Sequence, residues 1–85
     1  MTRPATIIEA PSWKGVPPIG ERFGKRLKQI RTERGYTQLR LSCIAGPDRS
    51  FISDMERGLK VPTLLTIEQF ATTFGITISE LMEGV

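Results

Sequence analysis

The sequence predicts an all-α protein of five helices behind an irregular N-terminal arm. Three observations carry that reading. Residues 20–34 and 64–74 place apolar side chains at helical spacing. Between them, Thr37 to Gly58 is punctuated as two short helices around a tight turn. Thr77 and Glu80 then form a capping-box pattern for a short last helix, expected to run to Glu83.

Residues 1–19 hold four of the six prolines, Pro4, Pro11, Pro17 and Pro18, and no helix runs through that spacing. This stretch is read as the arm. Thr6-Ile7-Ile8 can form a short extended piece, and Trp13, Val16 and Ile19 can dock on the domain. In the first helix, Phe23, Leu27 and Ile30 form one stripe, with Arg22, Lys25 and Lys28 on the other side and Arg31 at the stripe's edge. Gly35 ends it.

Thr37 is a good N-cap for the second helix, whose expected core residue is Leu41. Leu39 and Cys43 are i, i+4 neighbours and make an apolar strip on its outside, beside Ile44. Gly46 sits where the helix end needs a left-handed residue, and Pro47 cannot continue the helix. Asp48 can cap a third helix, Arg49 to Arg57, closed by Gly58. On it Ile52 and Met55 form one face, flanked by Phe51 and Glu56; Arg49, Ser50, Ser53 and Arg57 form the opposite face, with Asp54 at its edge. One side is built to pack and the other offers donors and acceptors. An ordinary amphipathic helix with a solvated face fits that pattern. So does a helix lying in the major groove of B-DNA.

After the loop Leu59-Lys60-Val61-Pro62, Thr63 caps the fourth helix, Leu64 to Phe74. Its stripe is Ile67, Phe70, Ala71 and Phe74, and Gly75 ends it. The last helix carries Ile78, Leu81 and Met82, more apolar surface than so short an element needs; these residues either close the monomer's core or meet a second copy.

The stretch TQLRLSCIAGPDRSFISDMERG resembles the helix-turn-helix of the phage repressor/Cro-like (XRE) family of bacterial DNA-binding proteins. The matching residues are Thr37-Gln38, Leu41, Gly46, Arg49-Ser50, Ile52-Ser53 and Glu56-Arg57-Gly58, with Pro62 beyond; the resemblance extends over residues 20–83. It implies a lambda repressor-like domain over 20–85, with its helix-turn-helix at 37–58. It also implies a transcriptional regulator that reads double-stranded DNA with helix 49–57. Arg49, Ser50, Ser53 and Asp54 are then the candidates for base contacts, and Gln38, Arg57 and Lys60 for phosphate contacts. An Arg31–Glu56 ion pair and a homodimer through Ile78, Leu81 and Met82 on an inverted-repeat operator follow from the same resemblance. The second helix departs from the family: Ser42 stands where Ala is usual, and Leu39, Cys43 and Ile44 where polar residues are. The arm is then a loose terminus, a strap over the Leu39–Cys43 strip through Trp13 or Ile7-Ile8, a DNA contact through Arg3 or Lys14, or a partner-binding segment.

Composition sets the outer limits. Eighty-five residues make one small domain with a modest core. The net charge is +3, but residues 20–36 carry six basic and two acidic side chains while 63–85 carry three acids and no bases. A basic end facing phosphate and a mildly acidic end facing away is the expectation. Cys43 is the only cysteine, which fits a reducing cytoplasm. There is no apolar run of membrane-span length and no signal-peptide core. Histidine is absent, as are glycine-rich phosphate loops, so no enzyme activity, cofactor, metal or small-molecule substrate is expected. The competing function is a protein-binding adaptor or antitoxin subunit on the same fold.

Overall fold

A computed structural model describes residues 15–85. The arm's Arg3, Ile7, Ile8, Trp13 and Lys14 lie outside the described residues. Within them the chain forms α1 (Ile19–Glu33), α2 (Gln38–Ala45), α3 (Arg49–Glu56), α4 (Leu64–Phe74) and α5 (Ile78–Leu81), with no strand among the described residues. Three threonines hold helix starts as expected. Thr37, Thr63 and Thr77 accept hydrogen bonds from the backbone N–H groups of Arg40, Thr66 and Glu80 at 3.0, 3.2 and 3.0 Å. Glu80 accepts from the Thr77 N–H in return, which completes the capping box and holds its carboxyl below the usual range. α1 begins one residue earlier than expected, on Pro18, whose carbonyl accepts from Glu21 and Arg22. Asp48 stands at the start of α3, but its side chain makes no capping bond; it accepts instead from the Ser50 hydroxyl at 2.7 Å. α5 ends at Leu81, short of the expected Glu83, because the chain tightens into i→i+3 turns there.

The core is built from Phe23, Leu27 and Ile30 of α1, Leu41 of α2, Ile52 and Met55 of α3, Ile67, Phe70, Ala71 and Phe74 of α4, and Leu81 of α5. Phe74 stacks on Tyr36 and Phe70, with ring centroids 6.2 and 6.4 Å apart. Leu81 corrects an expectation: it is fully buried, packed where α5 meets α1 and α4, and so closes the monomer's core instead of meeting a second copy. Met82 is half-buried against the same core, which leaves Ile78 as the exposed apolar side chain of α5.

The closest packing is between α1 and α3. A Cβ at Gly24 would lie 2.2 Å from the carbonyl oxygen of Met55 and 2.9 Å from that of Glu56. Gly58, at φ +75°, faces Glu21 across the same contact, where a side chain would meet Glu21 Cγ at 2.8 Å. Glycine inside a helix costs about 1 kcal/mol of propensity relative to alanine. Here it lets the backbone of α3 rest directly on α1.

The arginines of α1 and its C-cap bond to the molecule itself, while Lys25 and Lys28 stay exposed. Arg22 donates to the carbonyls of Pro17 and Val85. Arg26 donates to the carbonyls of Glu80 and Leu81 at 2.7 and 3.1 Å and approaches Glu83 at 3.6 Å, and Arg34 donates to the carbonyl of Phe74. Apart from the Pro17 contact, these guanidinium groups satisfy carbonyls at or just beyond the ends of α4 and α5, where helices leave acceptors unpaired and the dipole favours cations. The basic and acidic segments of the sequence are thus folded onto each other.

The Gly24 contact is checked by substitution. Gly24→Ala should destabilise the fold by at least ~1–3 kcal/mol in chemical denaturation, because backbone faces the new methyl group. Gly15→Ala, with nothing within 4 Å of the new atom, should change it by less than ~0.5 kcal/mol.

Candidate nucleic-acid interface

α2, its turn and α3 form one packed unit. Gly46, at φ +108°, ends α2 with its N–H on the carbonyl of Ser42 at 3.1 Å, and Pro47 is buried in the turn. Leu41 of α2 and Ile52 and Met55 of α3 point into the core with no exposed surface. That anchoring turns the other side of α3 outward: Arg49, Ser50 and Arg57 are exposed, and Ser53 and Asp54 are half-buried.

One carboxylate ties this unit to α1. Arg31 Nε donates to Glu56 Oε2 at 2.6 Å, and Arg31 Nη2 to Glu56 Oε1 at 2.9 Å. Arg31 Nη1 donates to the carbonyl of Tyr36 at 2.8 Å. Only 11% of the Arg31 side chain and 3% of the Glu56 side chain reach solvent. The hydrogen bonds to Glu56 outweigh burial and raise the Arg31 pKa above its ordinary value, so the guanidinium stays charged. Gln38, expected on phosphate, donates its amide Nε2 to Glu56 Oε1 at 3.1 Å. Its carboxamide has a second N–H for an outside acceptor. An open cleft lies beside it, lined by Arg31, Thr37, Gln38, Leu39 and Arg49.

A second cluster sits at the far end of α3. Arg57 donates to Asp54 Oδ1 at 2.7 Å, and Lys60 Nζ stands 3.4 Å from Asp54 Oδ2 and 6.0 Å from the centre of the Phe51 ring. The Arg57 hydrogen bond, seconded by Lys60, holds the Asp54 carboxyl below the usual range. Both carboxylate oxygens of Asp54, read from sequence as a base-contact candidate, thus face cations of the same molecule. Arg49, at the opposite end, pairs with no carboxylate among the described residues.

Sequence reasoning missed Gly24, which sets the spacing between α1 and this unit. Its signal was present: Gly20 and Gly24 lie four apart inside a helix that otherwise avoids glycine, and both are buried.

Residues 24–85 match the family model described as a helix-turn-helix domain. The chain belongs to that family. It is similar to the HTH-type transcriptional regulator DdrOP3 of Deinococcus deserti, with 45% identity over 64 residues that cover 72% of this chain and 47% of the relative. The chain thus spans about half the length of that curated relative. Among solved structures it resembles the restriction-modification controller protein C.AhdI of Aeromonas hydrophila, with a TM-score of 0.72, 35% identity, and 76% of this chain and 98% of that one covered. It also resembles SinR, the master regulator for biofilm formation, solved in complex with DNA. That match has a TM-score of 0.67 and 31% identity, and covers 71% of this chain and 97% of the solved chain. No helix among the described residues is long and apolar enough to cross a membrane.

The energetic weight of the central ion pair is measurable. Arg31→Ala leaves Glu56 charged and buried, and should destabilise the fold by ~3–5 kcal/mol in chemical denaturation. A loss under ~1 kcal/mol would place the pair in solvent.

Proposed function

We propose that this chain is a sequence-specific DNA-binding transcriptional regulator that reads the major groove with α3. The observation that carries this is the outward face of α3: polar along its length, rigidly backed by the core and the Arg31–Glu56 pair, with the guanidinium of Arg49 left exposed at its leading end. The likeness to SinR, which was solved with DNA, supports it.

Each residue then has a role that its chemistry suits. Arg49 can donate two hydrogen bonds to the O6 and N7 of guanine, and such a bidentate contact discriminates by about 1–3 kcal/mol. Ser50 and Ser53 are shorter and tolerate more than one base. Gln38, through its second amide N–H and the free backbone donors of the first turn of α2, serves a phosphate oxygen, and Arg57 and Lys60 serve others. After sites are selected from random DNA, Arg49→Ala should relax the preference at one base pair of each half-site. Lys60→Ala should weaken selected and random DNA alike and reduce the salt slope by about 1. Loss of affinity in Arg49→Ala with base preference intact would move Arg49 from the groove to the backbone.

The regulator acts as a homodimer on an inverted repeat whose half-sites lie ~34 Å apart, one helical turn. With Leu81 in the core, the surface for a second copy is the apolar face at the start of α4, where Leu64 and Leu65 are 81% and 63% exposed, together with Ile78. Leu65→Asp should leave the far-ultraviolet spectrum unchanged and give a monomer by sedimentation, with weak binding to the full inverted repeat. A wild-type chain that sediments as a monomer at all concentrations and selects a single asymmetric site would overturn the dimer.

A further inference from the structure

Asp54 is out of place on a surface that meets DNA. It carries a negative charge at the edge of the proposed contact face, on the helix that also carries Arg49. Both its oxygens are engaged: Oδ1 accepts from Arg57 at 2.7 Å, and Oδ2 stands 3.4 Å from Lys60 Nζ. The two cations are 62% and 58% exposed, while Asp54 itself is 22% exposed and sits beneath them. Asp54 is therefore turned toward the two groups that neutralise it, and they are the groups assigned to the DNA backbone.

A carboxylate presents two charged oxygens to a guanidinium or an ammonium much as a phosphate does. Exposed pairs of this kind are weak and yield to a competing anion. We propose that Asp54 is an internal stand-in for DNA phosphate. In the free protein it gathers Arg57 and Lys60 into one cluster; on binding, both cations exchange it for the backbone. Because that exchange precedes any base contact, Asp54 lowers the affinity for every sequence by a similar factor. The proposal rests on the reading of this face as a DNA surface. It differs from a base-reading role, in which Asp54 accepts from cytosine and its loss alters one position of the site.

The experiment uses the full chain, a random-sequence duplex and a duplex selected by the wild-type protein, each titrated at several salt concentrations. Asp54→Asn and Asp54→Ala should both bind the random duplex about three- to tenfold more tightly at low salt, with a similar gain on the selected duplex and the same ranking of bases at each position. The alanine variant guards against a new amide–base contact made by asparagine. In an Arg57→Ala/Lys60→Ala background, removal of Asp54 should gain less than about twofold. Unchanged or weaker binding of the random duplex by both variants would overturn the proposal, as would a preference altered at one base pair without a general gain. If the wild-type chain retains neither duplex at low salt, the DNA reading itself falls and this proposal with it. That outcome is distinct from wild-type binding that Asp54→Asn and Asp54→Ala fail to improve.

Discussion

The structure depends on one carboxylate. Glu56 lies at the end of α3 and accepts hydrogen bonds from Arg31 of α1 and Gln38 of α2, so three helices meet on two oxygen atoms. A buried charge pair is not a strong source of net stability, since both groups are taken out of water to form it. Its effect here is geometric. Arg31 donates in a planar fork to both oxygens and with its remaining nitrogen to the carbonyl of Tyr36, the residue just before α2. Any rotation of α3 against α1 breaks one arm of that fork and leaves a charge uncompensated in the interior. Gly24 removes the other freedom, because the backbone of Met55 and Glu56 already rests on α1 and has no space to slide inward.

That constraint explains why charge along the sequence misleads. Arg22, Arg26, Arg31 and Arg34 all face carbonyls or a carboxylate of the same molecule. The net charge of +3 is thus a poor measure of what a polyanion would meet. Other cations stay exposed: Lys25 and Lys28 of α1, Arg40 of α2, and three on α3 and the loop after it, where two are gathered around Asp54. Four of the seven arginines among the described residues hold short helices together. In so small a chain, where apolar burial alone gives a modest core, that use of charge is expected.

What was legible in the sequence was local. The threonine caps, the glycines that close helices, and the stripes of α1 and α4 are set within a few residues of themselves, and each stands where the sequence places it. What was not legible depends on partners far along the chain. Whether Leu81 closes a core or meets a second copy turns on how α5 falls against α1 and α4. The role of Arg26 turns on carbonyls more than fifty residues later. The Arg31–Glu56 pair came only from family resemblance, because two opposite charges near apolar faces are too common to single out. The convergence of Arg57 and Lys60 on Asp54 was not legible either, because Lys60 reaches it from the loop beyond the helix.

The division of labour on α3 follows from its length. Eight residues give little more than two turns, so each side chain serves either the core or the outside. Ile52, Met55 and Glu56 are fixed by packing and by the ion pair. On the proposed reading of this face as a DNA surface, discrimination falls to the side chains of Arg49, Ser50 and Ser53. Short hydroxyls and one unpaired guanidinium on a fixed helix lose little freedom on binding compared with a mobile loop. The rigidity that Glu56 imposes is therefore also what makes a small number of exposed contacts sufficient to distinguish one surface from another.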